Sequence, residues 1–122
     1  MQRPNVSPIY TAKKLYRNFK NSLRGISVIL TEHAFLLELL FGIAVVYVIV
    51  VEQGRLELKL LLSAAYVLLL ALEMVNTAFE KLCDRITTQY DPAIRNVKDL
   101  GSAGVFTVLL LNIALMGILV WN

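Results

Sequence analysis

An all-α membrane protein is predicted, with one N-terminal amphipathic helix at the membrane surface and three transmembrane helices in a single domain over residues 1–122. Three observations predict it. Three runs are long and apolar enough to cross a bilayer, from about residues 34 to 51, 58 to 79 and 101 to 121, and a helical span needs roughly 20 such residues. A stretch from about 9 to 30 has apolar residues at helical spacing and basic residues beside them. The cations are also unevenly distributed along the chain. Of the twelve Lys and Arg, Arg3, Lys13, Lys14, Arg17, Lys20 and Arg24 precede the first run, and Lys81, Arg85, Arg95 and Lys98 lie between the second and third.

A hydrophobic content of 57% and a mean hydropathy of +0.65 are high for a soluble domain. A buried soluble bundle is the competing reading, but a soluble helix this long should carry a polar face. The third run has only Ser102, Thr107 and Asn112 as interruptions. In the first stretch, Ile9, Ala12, Leu15, Tyr16, Phe19, Leu23, Ile26 and Leu30 form the apolar stripe. Such a basic amphipathic helix is expected to lie in the headgroup plane, apolar face down. No nucleic-acid motif accompanies the cations, so no nucleic-acid partner is expected.

Thr31 is expected to cap the first span. Gly54, in Glu52-Gln-Gly-Arg55, marks the turn into the second. Asp91-Pro92 breaks the helix that continues beyond the second span, because proline disfavours helix in its predecessor. Residues 93–100 then begin the third helix. By the positive-inside rule the N-terminus and the second connection are cytoplasmic, and the C-terminus faces outward. No cleavable signal peptide is expected, since no short apolar core follows the basic N-terminus within 25 residues. One cysteine, Cys83, excludes an intrachain disulfide and reads as a small buried side chain.

The chemistry concentrates on the second span. Glu73, Asn76, Glu80 and Asp84 are spaced three, four and four, so they share one helical face. Ionisable groups in or at the rim of a span are costly to keep and default to a functional reading. Glu32, Lys98 and Asp99 map to the same cytoplasmic side. Carboxylates with an Asn are hard oxygen ligands suited to Mg²⁺, and Lys98 suits a phosphate. Glu73, slightly deeper, has the partial desolvation that suits a general base. These are the parts that phosphoryl transfer needs. The competing readings are an interhelical polar cluster in a non-catalytic membrane assembly subunit and a proton-translocating subunit. One His and one Cys cannot build a zinc site or a Ser-His-Asp triad, and no P-loop or glycine-rich kinase loop is present.

The run Glu73-Met-Val-Asn76-Thr-Ala-Phe-Glu80-Lys-Leu-Cys-Asp84 resembles the signature of the prokaryotic diacylglycerol kinase family, E-x-[apolar]-N-[ST]-[small]-[apolar]-E-x-x-[apolar or small]-D. Lys98-Asp-Leu-Gly-Ser-Ala103 is similar to the family's K-D-[apolar]-[small]-[small]-[small] stretch. Thr31-Glu-His-Ala-Phe-Leu-Leu-Glu38 resembles its E-x-x-F-R-x-E region, with Leu36 where the family often has Arg. Ser22-Leu-Arg-Gly-Ile26 resembles its S-x-[KR]-G-[LI], one residue nearer to Glu32 than in the family. The resemblance runs over about residues 10 to 121.

It implies a homotrimeric bundle in the bacterial cytoplasmic (inner) membrane, with active sites shared between chains. It also implies transfer of the ATP γ-phosphoryl to the hydroxyl of diacylglycerol, giving phosphatidic acid, with Mg²⁺ as cofactor. Undecaprenol is the alternative acceptor. Glu73 matches the family's general base. Glu32 and Glu80 match its metal-associated glutamates. Asn76, Asp84, Lys98 and Asp99 match residues of the ATP site, as do Gln89, Tyr90 and Asp91 over the adenine end. Glu38 and Ser102, with Glu73, match positions near the lipid substrate.

Overall fold

The computed structural model describes residues 8–121, with side chains from residue 10 onward. Arg3 and the side chain of Ile9, both invoked above, lie outside the described residues. Four helices follow one another: α1 (Pro8–Ile29), α2 (His33–Val51), α3 (Leu56–Ile86) and α4 (Pro92–Trp121). Among the described residues there is no strand. The chain divides into two units, Met1–Glu32 and His33–Asn122.

The first unit is the amphipathic helix α1. Tyr16, Phe19, Leu23 and Ile26 are exposed along its apolar stripe. The hydroxyls of Ser22 and Ser27 donate to the Asn18 and Arg24 carbonyls, so neither competes for a distant partner. The helix tightens as it ends, with Thr31 N–H on the Val28 carbonyl and Glu32 N–H on that of Ile29. The Thr31 hydroxyl donates to the same Val28 carbonyl at 2.7 Å. Thr31 therefore closes α1 and does not cap the next helix, a correction to the sequence-based expectation. A helix C-terminus leaves carbonyls without partners, and a threonine three residues on reaches one without strain.

The second unit packs α2, α3 and α4 together. Each is long and apolar enough to cross a membrane. At about 1.5 Å per residue, the 31 residues of α3 reach well beyond a hydrocarbon core of about 30 Å. That length is enough for the polar end of α3 to extend beyond such a layer. Val45, Val48, Leu62, Ala65, Leu115 and Leu119 form the core, away from that end. Many large apolar side chains, such as Leu40, Ile43, Tyr47, Val67, Phe106 and Ile113, face outward. That surface suits lipid or other chains, not water.

The buried amide of Asn112 ties α3 to α4. Its Nδ2 donates to the Ala65 carbonyl across the interface at 3.1 Å and to the Val108 carbonyl of its own helix at 2.9 Å. Ser63 and Thr107 satisfy their hydroxyls on carbonyls four residues back. Intrahelical partners of this kind let polar side chains sit within apolar helices.

Both connections are pinned. Gly54 and Arg55 have positive φ, 89° and 50°. The Arg55 guanidinium donates to the Ile118 carbonyl near the end of α4 at 3.1 Å, and the Lys59 ammonium donates to the Glu52 carbonyl. At the other end α3 stops at Thr87, whose backbone is extended. Asp91 then caps α4: its Oδ1 accepts from Ala93 N–H at 2.8 Å and Ile94 N–H at 3.1 Å. Pro92 occupies the first helical position, where its missing N–H costs nothing.

Candidate functional site

The polar stripe of α3 faces α4 and α2 at the end of the bundle opposite Gly54. Its members differ in depth. Glu73 is 4% exposed and Asn76 7%, Glu80 is half-buried, and Asp84 is open to solvent. One helical face thus grades from a desolvated carboxyl to a hydrated one over three turns.

Two contacts organise the face. Asn76 Nδ2 donates to Glu80 Oε1 at 3.3 Å, one turn along α3. The Lys98 ammonium of α4 donates to Asp84 Oδ1 at 2.5 Å, fixing a cation beside the carboxylates. Gly101, one turn further along α4, lies against Asn76: a Cβ at position 101 would collide with Asn76 Oδ1. The absent side chain is what lets the Asn76 amide lie flat against α4 with its nitrogen aimed at Glu80. Asn76 Oδ1 is buried with no hydrogen-bond partner.

Glu38 brings a further carboxyl from α2. It is half-buried, and its Oε2 has no hydrogen-bond partner. Beside the stripe, Leu72, Val75, Phe79, Val97 and Leu100 line an apolar groove of about 350 Å³ between α3 and α4, with Asn76 at its polar edge.

The remaining sequence-derived candidates of the second unit are spread around this end. Asp99 pairs with Arg95 at 3.6 Å along the exposed side of α4, not with a group on α3. Ser102 is exposed beside Gly101. Gln89 and Tyr90 are exposed on the α3–α4 connection, and the Asp91 carboxylate is engaged in capping α4. Glu32 closes the first unit, immediately before α2. Cys83 is buried.

The donor set fits a hard cation. Glu80 offers a carboxylate oriented by Asn76, and Asn76 Oδ1 is a buried oxygen without a partner. Among the described residues no three His, Cys, Asp or Glu side chains gather into a metal cage. Mg²⁺ does not need one, because it takes one or two carboxylates and completes its shell with waters and substrate phosphates.

Residues 20–120 match the family model described as prokaryotic diacylglycerol kinase. The chain belongs to that family. Among curated proteins it is 26% identical over 100 residues to a diacylglycerol kinase of Sinorhizobium sp., covering 82% of this chain and 73% of that protein. It is 31% identical over 64 residues to the diacylglycerol kinase of Escherichia coli (strain K12), covering 52% of each chain. It is 34% identical over 67 residues to the diacylglycerol kinase of Pseudomonas aeruginosa, covering 55% of this chain and 52% of that protein. The matches to the last two therefore span about half of those relatives' length.

Two residues, Tyr66 and Gly42, are not singled out by the sequence, and a third, Asn112, gains its role only from the structure. Tyr66 passed as one apolar residue in an apolar run, yet its hydroxyl bridges two helices. Gly42 carried no turn signal, and only the arrival of Tyr66 explains it. Asn112 was visible as a polar interruption of the third span, and its burial with two carbonyl partners gives that interruption its role.

Proposed function

We propose that the chain is an ATP-dependent lipid kinase that transfers the γ-phosphoryl group of ATP to the hydroxyl of diacylglycerol, giving phosphatidic acid. The observation that carries this reading is the graded face of α3. It sets the buried Glu73 carboxyl one turn from the Asn76–Glu80 pair, with the Lys98 ammonium held at the solvent end. Membership of a diacylglycerol kinase family supports it.

In this mechanism Glu73 accepts the proton of the lipid hydroxyl. The hydroxyl oxygen forms the new P–O bond, the bond from the γ-phosphorus to the bridging oxygen breaks, and ADP leaves. A positioned base contributes about 10²–10⁴-fold to such a step. Lys98, with Asp84 beside it, binds phosphate oxygens. Asp99 and the exposed Gln89, Tyr90 and Asp91 contact the rest of the nucleotide. Glu38 and Ser102 hold the polar head of the lipid. Glu80 would hold Mg²⁺, which neutralises phosphate charge when bound, and the family resemblance gives Glu32 the same role. The tails stay in the bilayer, and the lipid enters sideways while ATP arrives from the cytoplasm.

The working unit is a homotrimer with shared sites, in the cytoplasmic membrane, with the N-terminus inside and the C-terminus outside. The outward-facing apolar surface of the three long helices supports assembly as well as lipid contact. The test is transfer from γ-labelled ATP with Mg²⁺ in mixed micelles, offering diacylglycerol and undecaprenol separately. Labelled phosphatidic acid is the expected product. Label only in undecaprenyl phosphate would reassign the acceptor, and label in neither would remove the kinase reading.

A further inference from the structure

Tyr66 lies two turns from Glu73 on the same face of α3, toward the Gly54 end of the helix. Its ring leans on Phe41 of α2, with centroids 6.5 Å apart. Its hydroxyl donates to the backbone carbonyl of Glu38 at 3.1 Å. In a helix that carbonyl already faces the N–H of residue 42. The Tyr66 hydroxyl reaches it because residue 42 is glycine: a Cβ there would overlap both the hydroxyl and the ring carbon bearing it. Tyr66 and Gly42 therefore form a knob and a socket, and the hydrogen bond fixes how far α2 can slide along α3. A slide of one residue would shift Glu38 about 1.5 Å along the helix and swing its side chain around the axis.

Glu38 is the residue whose position this setting controls. Its Oε2 is buried without a hydrogen-bond partner, on the helix whose register Tyr66 sets. We propose that Tyr66, seated against Gly42, is a positioning residue that sets the register in which α2 presents the Glu38 carboxyl to Glu73, and so tunes binding of the lipid's polar head. The inference rests on the lipid-kinase reading for its functional half only. A 1 Å misplacement in such a site can cost about 10²-fold in rate, so loss of one hydroxyl is enough to register.

The test compares wild type with Tyr66→Phe, which keeps the ring, and Gly42→Ala, which fills the socket. The first readout is kinetic. Both variants should raise the KM for diacylglycerol several-fold and leave the KM for ATP unchanged, with the trimer intact. Equal effects on both substrates, or a lowered melting temperature with unchanged constants, would reduce Tyr66 to packing and overturn the proposal. The second readout needs no activity: the rate at which an apolar carbodiimide labels Glu38, mapped by peptide mass, with Glu80 as internal reference. The variants should change the Glu38 rate several-fold relative to Glu80. An unchanged rate would overturn the positioning claim even if the wild type phosphorylates no lipid, a result that by itself would count only against the kinase reading.

Discussion

At the scale of the residue, what each side chain of the α3 face can reach decides what it can do. Glu73→Gln keeps shape and hydrogen-bonding capacity but cannot take a proton. It should lower kcat by about 10²-fold or more while the protein stays folded, measured by phosphate transfer beside a melting curve. Gly101→Val acts one step removed. Its side chain would displace the Asn76 amide, and activity should fall about tenfold or more with Glu73 and Glu80 untouched. The Asn76–Glu80 and Asp84–Lys98 contacts join residues that the sequence had already grouped, because a three-four-four spacing leaves only one helical face for four polar groups. The Gly101 contact could not be read in that way. A run of four small residues announces close approach but not what approaches, and here the visitor is the Asn76 amide, about three turns from the end of the opposing helix. Tyr66 was harder still, since a tyrosine among leucines carries no mark of the carbonyl its hydroxyl will find.

At the scale of the element, hydropathy fixed where helices lie and capping chemistry fixed where they end. The break at Asp91-Pro92 followed from proline's constraint on its predecessor, and the structure adds the Asp91 carboxylate on two N–H groups of α4. Thr31 went the other way. A threonine between two helices can serve either, and the carbonyl of Val28 was the nearer partner. Asn112 ties α3 to α4 through its buried bond to the Ala65 carbonyl, beside a second, intrahelical bond to that of Val108. Asn112→Ala should destabilise the fold by about 1 kcal/mol, in the range measured for interhelical hydrogen bonds in membranes. Reversible unfolding in mixed micelles would read this, with the KM for ATP unchanged. Asn112→Leu should cost less, because it removes both the donors and the unpaired Oδ1 while filling the space.

At the scale of the whole molecule, the charge pattern makes a testable prediction about orientation. Six Lys and Arg fall in the first 24 residues, and Lys81, Arg85, Arg95 and Lys98 flank the α3–α4 connection; by the positive-inside rule we propose that both regions are cytoplasmic. With Cys83 replaced by Ala, a single cysteine at Gln53 should react with an impermeant maleimide in intact cells. One at Gln89 should react only after the membrane is opened. The reverse pattern would turn the molecule over and leave Glu80 and Lys98 on the side without ATP. Assembly was not legible in hydropathy, because a span that faces lipid and one that faces a neighbouring span have the same composition. The outward apolar faces of α2, α3 and α4 are open to both.

The central claim is that the buried carboxyl at the deep end of the α3 face drives phosphoryl transfer to a lipid hydroxyl. A single-turnover experiment tests it most directly, with purified wild type and Glu73→Gln in mixed micelles containing diacylglycerol and γ-labelled MgATP, each protein checked for the same oligomeric mass. We expect labelled phosphatidic acid from the wild type and a rate at least about 100-fold lower from the variant. Equal rates from the two proteins would contradict it.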